Sequence, residues 1–420
     1  MRLSTPLLSG ILCAALLPLV PDPAGAQDGT WALTNARIET VTKGTIERGT
    51  IIIRNGLIAA VGADVAPPPD ARVVDLGGRT IYPGIINLTS SIGVPAAPAA
   101  TGGGRGPGGG GGGPAAATDE QPLELSPGRA IARELAPSDA DLRAARDAGI
   151  TTALVAPTRG AFRGLSALLP MRADSATSYI VKAPVGVHMG FEGVRGRYPG
   201  NLLGVMAYER QAMYDARRHG LMMDAWQANP TSMARPVRSP DLDALVPVVR
   251  GDRPVFFEAS NENEIRRAMS IANEFDLDLH IVGATEAFLT IDELKGKSAP
   301  VVVVDFPDAD DVTGWSYRGA QRVALNDSAT RAPKVETLLE ANAATLHRNG
   351  ITFALASGSV RPADFLANVR KTVAAGLPAN VAIAALTIRP AEIAGVEKTL
   401  GSIETGKIAD LVVTTGPLLG

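Results

Sequence analysis

The chain has 420 residues, 45% of them apolar and 20% charged, a globular composition with enough length to bury a core without staples. Its formal net charge is -3 and its basic residues are scattered. That speaks against a nucleic-acid partner or any phosphate-binding surface.

At the N-terminus Arg2, the apolar run from Leu7 to Val20 and the small residues Ala24-Gly25-Ala26 read as a signal peptide over residues 1–26, cleaved before Gln27. The run is too short to span a bilayer comfortably, and a retained N-terminal anchor is the alternative. Cys13 follows Leu12, where a lipoprotein signal wants a small residue, so it does not read as a lipidation site. Cleavage removes one base (Arg2) and one acid (Asp22), which leaves the charge unchanged, and it removes the only cysteine. A mature protein without disulfides, in the periplasm and off the membrane, is the expectation.

Residues 27–82 read as short strands and turns. Ala32 to Thr40 is one strand and Gly49 to Arg54 another, and Asn55-Gly56 is a strong hairpin signal before Leu57 to Val61. Val73 to Leu76 and Thr80 to Tyr82 continue the pattern, which makes a small β-sandwich. Residues 95–119 are nearly all glycine, proline and alanine and are expected to be disordered, either as a tolerated surface insertion or as a lid or partner-binding arm. From Ser138 to about residue 388 helical and strand patterns alternate. Helices are expected from Ser138 to near Gly149, from Asn263 to Phe275, from Val335 to Arg348 and from Pro362 to Ala375. Strands are expected at Ile150 to Ala156, Pro254 to Phe257, Leu279 to Val282, Val301 to Asp305 and Thr352 to Ala356. Alternation over this length is an α/β pattern and implies a parallel sheet closed as a (β/α)8 barrel, with an open doubly wound sheet as the alternative. Residues 401–413 return to strand character.

Three stretches carry a resemblance. The first runs from Asn35-Ala36-Arg37-Ile38 through Asn55-Gly56-Leu57-Ile58 to Asp75-Leu76-Gly77-Gly78-Arg79-Thr80 and Pro83-Gly84. The second is Thr387-Ile388-Arg389-Pro390-Ala391. The third is Gly401-Ser402-Ile403-Glu404-Thr405-Gly406-Lys407-Ile408-Ala409-Asp410-Leu411-Val412-Val413. Together they resemble the amidohydrolase superfamily, in particular its imidazolonepropionase-like and dihydroorotase-like branches, over nearly the whole mature chain. The resemblance implies a TIM-type barrel over 83–388 and a composite β-sandwich built from 27–82 and 389–420. Members usually continue past the third stretch, which implies a truncated chain or a sandwich closed with fewer strands.

The resemblance also implies chemistry. Family members hold zinc or another divalent metal at the barrel mouth, with His-x-His from the first strand, two later histidines and a final aspartate. The metal acidifies a bound water, which attacks a carbonyl. Here the first-strand positions are Asn87, Thr89 and Ser91, the later histidine positions are Glu258 and Gly283, and the aspartate position is Gly358. A neutral hydroxyl is a weak zinc ligand. No cofactor is therefore expected.

Glu258, Asp305 and His188 remain as candidates for a different site, since each falls at a strand end. Glu258 could pair with Lys182 or an arginine as a structural bridge. His219 and His347, each late in a helix, read as surface residues, and His280 as a packed strand residue. The helical segment from Tyr208 to Ala216 reads as packing or mouth lining.

Three functions follow. The first is a pseudoenzyme that binds a small amide or peptide-like ligand, or pairs with an active paralogue. The second is a hydrolase of carbon–nitrogen bonds, other than peptide bonds, with a remodelled site. The third is a homo-oligomer partner that assembles through its glycine-rich arm and sandwich.

Overall fold

The computed structural model describes residues 29–95, 123–172, 180–194, 196–231, 233–307, 319–321, 323 and 335–420. The expected signal peptide and, past Pro95, the glycine-rich insertion lie outside the described residues.

The N-terminal strands are β1 (Thr30–Glu39), β2 (Thr45–Arg54), β3 (Leu57–Gly62), β4 (Ala71–Asp75) and β5 (Thr80–Pro83). β2 and β3 form the expected hairpin across Asn55-Gly56, both at positive φ (51° and 74°), as such a tight turn requires. The barrel region supplies β6 (Ile85–Ser90), β7 (Ile150–Val155), β8 (Phe162–Leu165), β9 (Ala167–Pro170), β10 (Val187–Gly190), β11 (Val255–Ala259), β12 (Leu279–Gly283), β13 (Val301–Val303) and β14 (Ala354–Ala356). The last strand is β15 (Leu411–Thr414).

β15 pairs antiparallel with β5, so one sheet, ordered β15-β5-β1-β2-β3 with β4 beside β1, is built from both chain ends. Ala36, Ile38, Ile51, Ile58, Ile81 and Ile403 form its core. Strand character over 401–413 is narrower than expected. Residues before β15 instead lie along the β2–β3 hairpin through scattered backbone bonds, Gly406 to Ile58 and Ala409 to Gly56, each 2.8 Å.

The other strands form two sheets, β6-β7-β9 and β14-β13-β12-β11-β10-β8. The pairs from β10 to β14 are parallel, as is β6 with β7, in line with the α/β expectation. β8 and β9 depart from a regular barrel: β9 runs antiparallel to β7, and β8 antiparallel to β10. β9 returns to β7 after residues 156–166 alone, fewer than the roughly dozen that a parallel crossover takes, whereas β8 and β10 are joined by the longer segment 166–186.

Strand alternation sorts the side chains. Val187, Met189, Val255, Phe257, Leu279 and Ile281 join the core under the helices. Leu88, Leu154, Leu168, Phe256, Val282 and Ala356 converge from both sheets on one interior cluster. The strands thus enclose a packed centre with helices outside it.

The helices follow local signals. Asp139–Asp147 is capped by Ser138, whose hydroxyl accepts from Asp141 N at 3.1 Å. Glu262–Phe275 opens on a capping box of Asn261 and Glu264. The long helix expected over 335–348 is two, Val335–Glu340 and Asn342–Arg348. The buried Asn342 side chain starts the second, donating to Ala284 O and accepting from Phe288 N (2.8 and 2.9 Å), which fixes this turn against the β12 loop. Helix Ile388–Ala394 sends Ala391, Ile393 and Ala394 into the interior cluster, so the boundary expected at 388/389 falls within it. Among the described residues, no helix is long and apolar enough to cross a membrane.

Candidate functional site

A cavity of about 510 Å³ opens at the C-terminal ends of the strands. Thr89, Ser91, His188, Glu258, Gly283, Asp305 and Gly358 all line it, so five of the ligand positions implied by the resemblance and the three candidates for a different site, Glu258 counted in both, reach one place. Its floor is the top of the interior cluster, with Leu88, Leu154 and Val282.

The first-strand positions are tied to the last strand. Asn87 Nδ2 donates to Ser357 Oγ (2.8 Å) and Thr89 O (2.8 Å), and its Oδ1 accepts from Ser357 N (3.1 Å). The Thr89 hydroxyl accepts from Gly358 N (2.8 Å) and donates to Asn87 Oδ1 (3.3 Å). Hydroxyl and amide groups here staple β6 to the end of β14.

The two glycine positions are structural commitments. Gly358 has φ +60°, and a Cβ there would stand 2.4 Å from Val303 Cγ1. Gly283 has φ +100°, and its Cβ would stand 2.5 Å from Ser260 Oγ. Both backbones are in a region that favours glycine, and both side-chain spaces are filled. An aspartate or histidine does not fit at either point without rearrangement.

Glu258 is ion-paired with Arg163. The Arg163 side chain is 9% exposed and that of Glu258 50%. Arg163 was missed in the sequence. Its signal was there: a lone charge between Phe162 and Gly164 in an apolar strand. β8 and β10 slip register at this residue, the bulge that turns its side chain inward. Lys182, the other partner considered for Glu258, lies elsewhere. Its Nζ donates to Ala394 O (2.8 Å) and Gly395 O (3.4 Å) and so caps the C-terminus of helix Ile388–Ala394.

His188 does face the cavity. It is buried, its ring stacks on Phe256 with centroids 4.9 Å apart, and its Nε2 has no hydrogen-bond partner among the described residues. Burial, helped by the Arg163 charge, pushes its pKa down to about 3, so the imidazole is neutral. Asp305 accepts a hydrogen bond from Ser359.

Other candidates leave the site. His219 is not a surface residue: it is buried, with Nε2 2.9 Å from Asp243 Oδ1, because its helix face packs against helix Pro240–Val249. His347 is exposed, as expected, and His280 is packed, with Nδ1 3.1 Å from Ala299 O. Glu286 accepts from Glu262 N (3.0 Å) and Ala320 N (2.8 Å) and serves the N-terminus of helix Glu262–Phe275. The segment Tyr208 to Ala216 is packing: in helix Leu202–Ala228, Met213 and Ala216 sit in the main core. Glu209 lies on that stripe, and burial raises its carboxyl pKa well above the usual range.

For a divalent metal the donor chemistry does not fit. The Thr89 hydroxyl is committed, glycine stands at two ligand positions, and a buried guanidinium is paired with Glu258, one of the two carboxylates in the cavity. Among the described residues no group of three or more His, Cys, Asp or Glu could hold a metal.

Residues 260–418 match the sequence profile described as "Amidohydrolase family". An amidohydrolase from Thermotoga maritima superposes with a TM-score of 0.74 at 22% identity, over 92% of this chain and 94% of that one. The chain has the amidohydrolase fold. A second amidohydrolase gives 0.51 at 17% identity, over 93% of each chain. A prolidase complexed with N-methylphosphonate-L-proline gives 0.50 at 16%, again over 93% of each. No curated protein matches the sequence. The amidohydrolase match begins after β11, so it spans the two glycine positions but not Thr89, Ser91 or Glu258.

Proposed function

We propose that this chain is an exported protein of the amidohydrolase superfamily that has given up metal-dependent hydrolysis and uses the barrel mouth to bind a small ligand, alone or as the partner of an active paralogue. The observation that carries the proposal is steric. At Gly283 and Gly358 the backbone is in the region that favours glycine, and a Cβ would press on Ser260 Oγ or Val303 Cγ1, so the side chains that a hydrolytic metal needs would strain both points. The staple from Asn87 and Thr89 to Ser357 and Gly358 is a self-satisfied arrangement, and it competes with metal ligation for the same hydroxyl.

Metal analysis of the purified mature protein tests this. The expected result is no stoichiometric zinc, manganese or iron, and no loss of any property on chelation. Stoichiometric zinc, with hydrolysis lost on chelation, overturns it. The export half rests on Arg2, the apolar run and Ala24-Gly25-Ala26. N-terminal sequencing should start at Gln27.

A second reading, a carbon–nitrogen hydrolase with a remodelled site, has one observation behind it: Glu258, Asp305 and His188 line the same cavity. Their environments favour binding over catalysis. A histidine with a pKa of about 3 is a poor base at neutral pH. Glu258 is held by Arg163, and Asp305 is engaged by Ser359.

A further inference from the structure

The pair of Arg163 and Glu258 is lopsided. The guanidinium is buried in the wall of the cavity, while the carboxylate that neutralises it is half exposed. Arg163 owes its place to two local features. The bulge in β8 aims it inward, and Gly190 on β10 leaves its side-chain space empty: a Cβ there would stand 2.8 Å from Arg163 Nη2. The Arg163 Nε also reaches Gly160 O at 3.4 Å, which holds the fork from behind. So the cation is fixed in the wall, and the carboxylate that it holds stands half in solvent, where a ligand can compete for the guanidinium.

A fixed guanidinium at the edge of a cavity is a carboxylate receptor, because its planar fork matches two oxygens and charge-assisted bonds are the strong ones. The remaining lining sets the ligand class. His188 is neutral and adds no charge. Asp305 repels ligands of high negative charge. Leu88, Leu154, Val282 and Val303 give the organic part an apolar floor. A volume of about 510 Å³ suits a small molecule.

We propose that the mouth binds a small organic monocarboxylate through Arg163, and that the Glu258 side chain is an internal stand-in which the ligand displaces. This rests on the reading of the mouth as a binding site, and it names what is bound.

Titration calorimetry on the full mature chain, at constant ionic strength in chloride, tests it with benzoate as probe and benzamide as its neutral isostere. The wild type should bind benzoate and bind benzamide at least about tenfold more weakly, in line with a charge-assisted pair against a neutral one. Glu258→Gln removes the competitor and should tighten benzoate about tenfold or more. Arg163→Gln and Gly190→Ala should weaken it by a similar factor, the second with the ion pair's residues intact. Equal binding of benzoate and benzamide overturns the proposal, as does benzoate affinity unchanged in Glu258→Gln. Inorganic phosphate binding as tightly as benzoate also overturns it, in favour of a general anion site. If a variant does not fold, the wild-type comparison of benzoate with benzamide decides alone. Metal content measured on the same sample separates the two claims. Stoichiometric zinc with chelation-sensitive hydrolysis sinks the binding-protein reading whatever benzoate does, and loss of the benzoate preference sinks only this inference.

Discussion

The sheet made from the chain ends and the cavity mouth at the strand ends both carry charged side chains, and they treat them differently. In the sheet, Glu404 takes hydrogen bonds from Ser402 (2.7 Å) and Thr42 (3.0 Å) and lies 3.1 Å from Lys43 Nζ. These bonds, with the nearby Lys407 charge, hold its carboxyl down to about 2. Lys407 in turn donates to Ser402 at 2.5 Å. The network closes on itself and does a structural job. At the mouth the polar groups of β6 and β14 also close on themselves, but Arg163, Glu258 and His188 do not: one partner is half exposed, and one ring nitrogen has no partner among the described residues. A polar group left over in a cavity wall is where a ligand can add a bond, so the mouth is the region of function and the end sheet the region of scaffold.

The sharpest way to break this comparison is to put a family ligand back. Gly358→Asp must adopt φ +60° and push Val303 aside, at a cost of about 2–4 kcal/mol by denaturant unfolding, and should bring no zinc. A variant that folds with wild-type stability and holds zinc would show the mouth to be a metal site one mutation away. Asn87→Ala comes next. It strips the staple and leaves the buried Ser357 N–H without its acceptor, for about 2–3 kcal/mol. A melting temperature unchanged from wild type would show that β6 and β14 are held by packing alone.

How much of this was legible beforehand differs along the same line. The hairpin at Asn55-Gly56, the helix start at Ser138 and the return of β15 depend on local chemistry or on a long run of specific residues, and they appear in place. The mouth positions depend on strand ends, and Thr89, Glu258, Gly283 and Gly358 indeed meet there. What stayed hidden was pairing between distant segments. Arg163 and Glu258 are 95 residues apart, and although a lone charge between Phe162 and Gly164 marks Arg163 as unusual, the slip in register that turns it inward and its partner lie in pairing with β10 and β11. Lys182 and His219 went astray for the same reason, since their partners, Ala394 O and Asp243, come from other elements. The antiparallel pairings of β8 with β10 and of β9 with β7 were missed because a hydrophobic period does not encode which strand a strand pairs with.

His188 gives a third test through pH. Its folded-state pKa is about 3 against 6.5 for the free side chain. Between these values the unfolded chain binds a proton that the folded chain does not. The stability that a neutral His188 allows is therefore whole above pH 6.5 and falls as pH drops toward 3. The slope is about 1.4 kcal/mol per pH unit, or about 2 kcal/mol by pH 5. His188→Gln should lose that slope, so the gap between wild type and variant should shift in the variant's favour as pH falls. Parallel stability curves from pH 7 to pH 5 would mean that His188 is charged in the fold, and its neutral place beside Arg163 would have to be given up.

The smallest effect sharpens the assignment of cations. Lys182 caps helix Ile388–Ala394, where its charge meets the helix dipole and its Nζ serves the last carbonyls. Lys182→Met keeps most of the stem and loses the head group, for about 1 kcal/mol. Because this lysine lies away from the cavity, benzoate binding should not change at all, whereas Arg163→Gln should weaken it about tenfold. Were Lys182→Met to weaken benzoate as much as Arg163→Gln, the cation that matters at the mouth would be the lysine, and the bulge in β8 would be a packing detail with no bearing on the ligand.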